Sequence, residues 1–172
     1  MRAYLPFLLA VLLSACREEA AEAPAPVEMT EDALSYFCQM NVADHGGPKG
    51  QIHLDGFPAP LFFAQVRDLV AFLKSPERDA PVIAVYVSDM GAAPSWARPG
   101  TANWIDAHQA YFVVGAGVAG GMGAPEIVPF ARQQDAETFA VRYGGEILQL
   151  DTIPADAAIG PVDLEIVLEQ PS

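Results

Sequence analysis

Apolar residues recur at helical spacing in two short windows. Val66, Leu69, Val70 and Leu73 stand at i, i+3, i+4 and i+7, and Ala136, Phe139, Ala140 and Tyr143 repeat that spacing. Such a period lays one apolar stripe along a helix, so each window predicts an amphipathic helix. Ser75-Pro76 ends the first, because the residue before proline avoids the helical region. Gly144-Gly145 ends the second, since glycine accepts a left-handed C-terminal cap. An extended apolar segment precedes each helix, Pro60-Leu61-Phe62-Phe63 and Ile127-Val128-Pro129-Phe130. Another follows each, at residues 82–87 and 146–150. An earlier strand is expected to lead each unit, around residues 36–42 in the first and 110–114 in the second. Gln51-Ile52-His53-Leu54 begins a hairpin that returns toward Leu61 through Gly56-Phe57-Pro58.

The two windows also align residue by residue. At an offset of 67, Phe63, Ala64, Asp68 and Phe72 meet Phe130, Ala131, Asp135 and Phe139. With the matching flanks, this predicts an α+β protein built as an internal repeat of two homologous small ββαβ domains. In each, a helix covers one face of a small sheet and buries a core. The expected bounds are 34–90 and 106–160, joined by a linker at 91–105 that carries Gly91, Pro94, Pro99 and Gly100. Trp96 and Trp104 are expected to pack that linker or clamp the halves. Residues 161–172 read as a tail or one more edge strand.

The N-terminus has another pattern. Met1-Arg2 gives a positive start, and residues 5–13 are apolar apart from Pro6. That run is shorter than the roughly 20 residues needed to cross a bilayer. Residues 1–15 therefore read as an export signal. Leu13-Ser14-Ala15-Cys16 has the form of a bacterial lipoprotein processing site, in which the Cys16 sulfur is lipidated and the chain is cut just before it. Arg17 follows rather than an aspartate, so no inner-membrane retention signal is evident, and outer-membrane attachment facing the periplasm is favoured. Residues 16–33 are rich in Ala, Glu and Pro and lack apolar periodicity. Too little hydrophobic surface is present to offset the entropy of ordering them, so a flexible tether is expected, with Met29 given no structural role.

Charge narrows the partners. The 172 residues hold 22 acids against 9 Lys and Arg, a formal charge of -13. Such a surface excludes nucleic-acid binding, which needs a basic footprint. It suits a basic protein partner and attracts cations loosely. Monomer or weak dimer is the expected state. Once Cys16 is lipidated, Cys38 is the one free thiol, and no disulfide scaffold exists although the periplasm would permit it.

Cys38-Gln39-Met40 places a thiol and a thioether two residues apart. Cu(I) prefers thiolate and thioether, then imidazole. On an extended segment the two sulfurs would share one face. The same residues also serve as small buried filler and core packing. Met122 lies in Gly120-Gly121-Met122-Gly123, where glycines mark a turn and leave few local packing partners. His45, in the loop Asp44-His45-Gly46-Gly47-Pro48, is near enough in sequence to join a metal; Met90, His53 and His108 are weaker candidates. Gly115-Ala116-Gly117-Val118-Ala119-Gly120 matches a dinucleotide-binding fingerprint, but the helix that must follow is missing. No hydrolase, zinc-protease, C-x-x-C or phosphate-loop motif is present, so no enzyme is expected. Two other classes stay open: a docking lipoprotein whose sulfurs merely pack while it recruits a periplasmic partner, and a mercury- or thiol-handling enzyme.

These fragments together resemble the NosL family, lipoprotein accessory factors of nitrous oxide reductase. The similarity runs from Cys16 to about Ile153 and rests on the lipobox, Phe37-Cys38-Gln39-Met40-Asn41-Val42, Lys49-Gly50-Gln51-Ile52, residues 104–115, Met122-Gly123, Pro129-Phe130, Asp135-Ala136 and Gly144-Gly145. The family usually has glycine where this chain has Gln39; both sulfurs remain. The resemblance implies a periplasmic Cu(I) chaperone that delivers copper to nitrous oxide reductase maturation proteins. It implies Cys38, Met40 and Met122 as ligands, with the metal between the two halves.

Overall fold

The computed structural model describes residues 23–163 and 168–171. The leader and Cys16 lie outside the described residues, as does part of the C-terminal segment.

The first sheet is built around β1 (Gly50–Leu54), which pairs antiparallel with β2 (Leu61–Phe63) on one side and β3 (Val82–Ser88) on the other. Ile52 faces Leu61 and Val85 across the two ladders. β4 (Trp104–Asp106) adds beyond β3, giving the order β2-β1-β3-β4. The second sheet repeats the plan. β5 (Tyr111–Val114) is central, flanked by β6 (Val128–Phe130) and β7 (Glu146–Leu148), in the order β6-β5-β7. Each unit thus puts its first strand in the middle and its helix between the second and third. Pro129 lacks an amide hydrogen and is tolerated because β6 is an edge strand. Both units are ββαβ, the architecture that the spacing predicts.

The helices differ in how much they bury. α1 (Val66–Lys74) turns Val66, Leu69, Val70 and Phe72 inward. It lies so close to β1 that a Cβ on Gly50 would collide with Leu69. α2 (Gln133–Tyr143) fully buries only Ala136. Its Phe139 stacks on Trp96 with ring centroids 6.4 Å apart, so the linker tryptophan supplies the cover that α2 lacks. The two units also share one core: Ile52, Phe63, Leu69 and Val85 pack in the same cluster as Phe112, Ile127, Leu150 and Ile153. A short α3 (Ala155–Ile159) closes over α1. Each such side chain, fully buried, contributes roughly 1.5–3 kcal/mol, so neither half is spared by losing the other.

Four expectations are corrected. Residues 36–42 are a turn, not a strand; only Leu34–Asn41 and Ser35–Phe62 bridge, and a 3-10 turn Val42–Asp44 follows. Trp104 lies in β4, against Phe62, rather than in a linker. Residues 24–33 are docked rather than loose. The Gln51 side-chain amide accepts from Val27 N–H and donates to Val27 O, both at 2.9 Å, taking the place of a strand partner. Tyr86 Oη donates to Pro24 O at 2.7 Å. Met29 is buried with Ala33, Val42 and Ala64, so it has a packing role after all. At the C-terminus, Glu169 bridges Val118 in parallel. Among the described residues, no helix is long and apolar enough to cross a membrane.

Candidate metal centre

The Cys38 segment folds back on itself. Ser35 N–H donates to Met40 O at 2.9 Å, and Gln39 N–H donates to Ser35 O at 2.9 Å. Gln39 sits between them at φ +56°, in the left-handed region that favours glycine. Its own Nε2 donates to Tyr36 O at 2.8 Å and Ser35 O at 3.2 Å. Cys38 and Met40 therefore flank a tight turn and are not alternate residues of a strand. The turn rests on an aromatic base: Phe37 meets Phe63 edge-on at 5.7 Å, and Tyr36 meets Phe72 edge-on at 5.5 Å. Cys38 is half-buried with a free thiol, and Met40 is 48% exposed.

Two bonds fasten this turn to the end of β2. Tyr36 N–H donates to Phe62 O at 2.7 Å, and Ala64 N–H donates to Ser35 Oγ at 3.2 Å. The residue after Ala64 is Gln65, whose Oε1 accepts from Met122 N–H at 3.1 Å. The Cys38 turn and the Met122 loop are thus anchored to consecutive residues at the β2–α1 corner, one from each repeat. Met122 is 43% exposed, so its thioether is accessible to a ligand.

His45 belongs to the same corner. Its Nδ1 lies 3.3 Å from Gly121 O, and its Nε2 is buried without a hydrogen-bond partner. A Cβ on Gly121 would come 2.5 Å from His45 Cβ and 2.7 Å from Gly46 O, so only glycine lets the two loops press together. The other candidates lie elsewhere. Met90 lines a cavity of about 360 Å³ with Trp96 and Phe139. His53 is buried against Tyr86 and bonded to Gln51; burial lowers its pKa. His108 is exposed beside α1's far end.

Three residues beneath the corner escaped the sequence reading. Lys49 is 1% exposed, and its Nζ donates to Gly46 O and Ala64 O, both at 3.0 Å. It ties the His45 loop to the end of β2. Glu126 is equally buried. Its Oε1 accepts from Arg67 N–H and Ile127 N–H, each at 2.9 Å, while Oε2 has no partner. Burial pushes the Glu126 carboxyl up to about 8, against the opposing pull of those two amides and of Lys49. Burial likewise brings Lys49 down to about 8, opposed by Glu126. Gln65 is the third. Only Glu126 gave a sign in the sequence, as a lone charge inside the apolar run Pro125-Glu126-Ile127-Val128. Lys49 and Gln65 each stand at an element's start, where a polar residue is unremarked.

Among the described residues, no three His, Cys, Asp or Glu side chains gather as a metal-ligand group.

The comparisons with known proteins agree with one another. The family model described as NosL matches residues 26–158. The copper-binding lipoprotein NosL of Achromobacter cycloclastes is 48% identical over 168 residues, covering 95% of this chain and 87% of that protein. The copper-binding lipoprotein NosL of Stutzerimonas stutzeri is 34% identical over 152 residues, covering 87% and 77%. The crystal structure of the copper chaperone NosL from Shewanella denitrificans superposes with a TM-score of 0.70 at 35% identity, covering 76% of this chain and 96% of that one. The solution structure of apo-NosL from Achromobacter cycloclastes gives 0.50 at 46% identity, covering 71% and 95%. A match across most of the length, to the family model, to both relatives and to the solved structures, establishes that this chain belongs to the NosL family.

Proposed function

We propose that this protein is a periplasmic Cu(I) chaperone, anchored to the membrane by lipid on Cys16, and that Cys38, Met40 and Met122 carry the ion. One observation supports this most: three accessible or half-accessible sulfurs from two repeats are fastened to one corner of the molecule. Soft sulfur donors suit Cu(I) and discriminate against hard divalent cations. Relatives that bear the name of copper-binding lipoprotein or copper chaperone favour the same reading. His45, with its unpartnered Nε2 beside the Met122 loop, is the candidate for a further ligand.

Transfer follows from ligand chemistry. Two or three soft ligands leave Cu(I) undercoordinated. An acceptor sulfur or imidazole adds before a donor leaves, so the ion is never released to solvent. Thiolate supplies most of the affinity, and thioethers add selectivity without needing to lose a proton. The acceptor in this proposal belongs to the maturation machinery of nitrous oxide reductase. The acidic surface suits a basic docking face on it. No catalytic step is proposed.

An anaerobic Cu(I) competition titration of the protein isolated in detergent, beside Cys38→Ser, tests this. A tight single-site endpoint that collapses in the variant is expected. Tight binding retained in both moves the site away from Cys38, and weak binding in both sinks the chaperone reading in favour of a docking lipoprotein.

A further inference from the structure

Polar residues at a helix start ordinarily accept from an amide of the helix's own first turn. Gln65, in extended conformation just before α1, makes no such bond. Its Oε1 instead accepts from Met122 N–H, 57 residues further along the chain. The amide it leaves unserved, Arg67 N–H, is taken by Glu126 Oε1 from the other repeat. The two repeats are tied together here by a pair of reciprocal bonds. The first repeat's cap-position residue holds the second repeat's loop, and the second repeat's Glu126 carboxyl caps the first repeat's helix. Gly120 is where they meet: a Cβ there would collide with Glu126 and would come 2.5 Å from Gln65 Oε1.

We infer that Gln65 is the positioning residue for Met122, fixing where its sulfur stands relative to the Cys38 turn. The role rests on the Cu(I) reading above. Met122 sits among Gly120, Gly121 and Gly123, and Gly123 is in the left-handed region at φ +81°. Such a loop has little stiffness of its own, because glycine gives up the most conformational freedom on ordering. The loop's own bonds, Gly120 N–H to Ala124 O and Gly123 N–H to Gly120 O, set its shape but not its place on the first repeat. The contact of Gly121 O with His45 is long, at 3.3 Å. The bond at Met122 itself comes from Gln65, which is buried and therefore holds still. Without it, ordering the methionine on copper costs as much as its thioether returns, so that sulfur is lost from the ion and affinity falls.

The test is a double-mutant cycle on the protein isolated in detergent, with Cu(I) affinity measured by anaerobic competition. Gln65→Leu keeps the volume and removes the acceptor. Alone it is expected to weaken Cu(I) binding by roughly 5–10-fold, the worth of one hydrogen bond. In a Met122→Leu background it is expected to cost nothing further, because it acts only through that residue. X-ray absorption should show one fewer sulfur around copper in Gln65→Leu. Gln65→Glu, which restores the acceptor, should recover that sulfur. Thermal melting of each variant separates folding from positioning, and Gln65→Asn, which only retracts the amide, replaces Gln65→Leu if that variant does not fold. Equal losses in both backgrounds, or no loss in either, overturn the positioning role alone. A wild-type protein that does not bind Cu(I), or a Met122→Leu variant that binds as tightly as wild type, overturns the copper site itself before Gln65 is touched.

Discussion

Gln39 should be held in place by its own side chain. At φ +56° its backbone is in the left-handed region, which costs an L-residue roughly 1–2 kcal/mol. Nε2 offsets this by donating to Tyr36 O at 2.8 Å and Ser35 O at 3.2 Å. Each such bond contributes about 0.5–1.5 kcal/mol, nearer the lower end for the exposed one. Gln39→Gly removes the strain and both bonds together, and adds about 0.5–1 kcal/mol of backbone entropy to be lost on folding. The terms nearly cancel, so that variant should lie within about 1 kcal/mol of wild type. Gln39→Ala keeps the strain and loses both bonds, so it should be about 1–2 kcal/mol less stable. Urea midpoints at constant m-value measure both. An alanine variant more stable than the glycine variant would show that the turn is not strained at Gln39. A glycine variant about 1 kcal/mol or more above wild type would show that the two side-chain bonds contribute nothing. Because this turn carries Cys38 and Met40, the same variants report on the site: Gln39→Gly should bind Cu(I) almost as wild type does.

Other outcomes are equally specific. Cys38→Ser should lower Cu(I) affinity far more than Met40→Leu, as competition titration will show; equal losses would contradict the dominant role given to thiolate. Burial raises the Glu126 pKa from 4.5 to about 8, so the folded state keeps a proton that the unfolded chain releases between those values. That contribution to stability is full below pH 4.5 and is lost as pH rises through about 8. Its slope is at most about 1.4 kcal/mol per pH unit and should vanish in Glu126→Gln, as urea midpoints from pH 5 to 8 will show. Lys49 has the opposite sign: its pKa falls from 10.5 to about 8, so its contribution improves across that more alkaline window. Lys49→Met keeps the buried stem but orphans Gly46 O and Ala64 O, a loss of about 2–4 kcal/mol by denaturation; an unchanged midpoint would mean that neither bond is needed. Gly121→Ala should cost about 1–3 kcal/mol through collision with His45 and Gly46, read as a lower melting temperature.

The repeat was legible because it is written in short-range periodicity. The spacing of Val66 to Leu73 and of Ala136 to Tyr143, with apolar strands on either side, is local information, and helix and strand follow from which face an apolar residue occupies. The sulfurs were legible as chemistry, since residue type alone says what Cys38, Met40 and Met122 can hold. Their geometry was not. The expectation of an extended Cys38–Met40 segment failed because the turn is closed by bonds from Ser35 to Met40 and by a left-handed Gln39, neither of which has a periodic signature. The docking of Met29 was hidden because a Pro- and Ala-rich segment lacks a pattern of its own. It becomes ordered through partners far along the chain, Gln51 and Thr101 among them.

The sequence by itself thus determined the two ββαβ units, the soft-donor chemistry and the acidic surface, since each depends on residue identity or on neighbours a few positions apart. Tertiary structure alone decided that Ala64 and Gln65 gather the Cys38 turn and the Met122 loop at one corner. It also decided that Lys49 and Glu126 are buried beneath it. These are contacts between residues tens of positions apart, and their cost or benefit exists only once the shared core has brought the two repeats together.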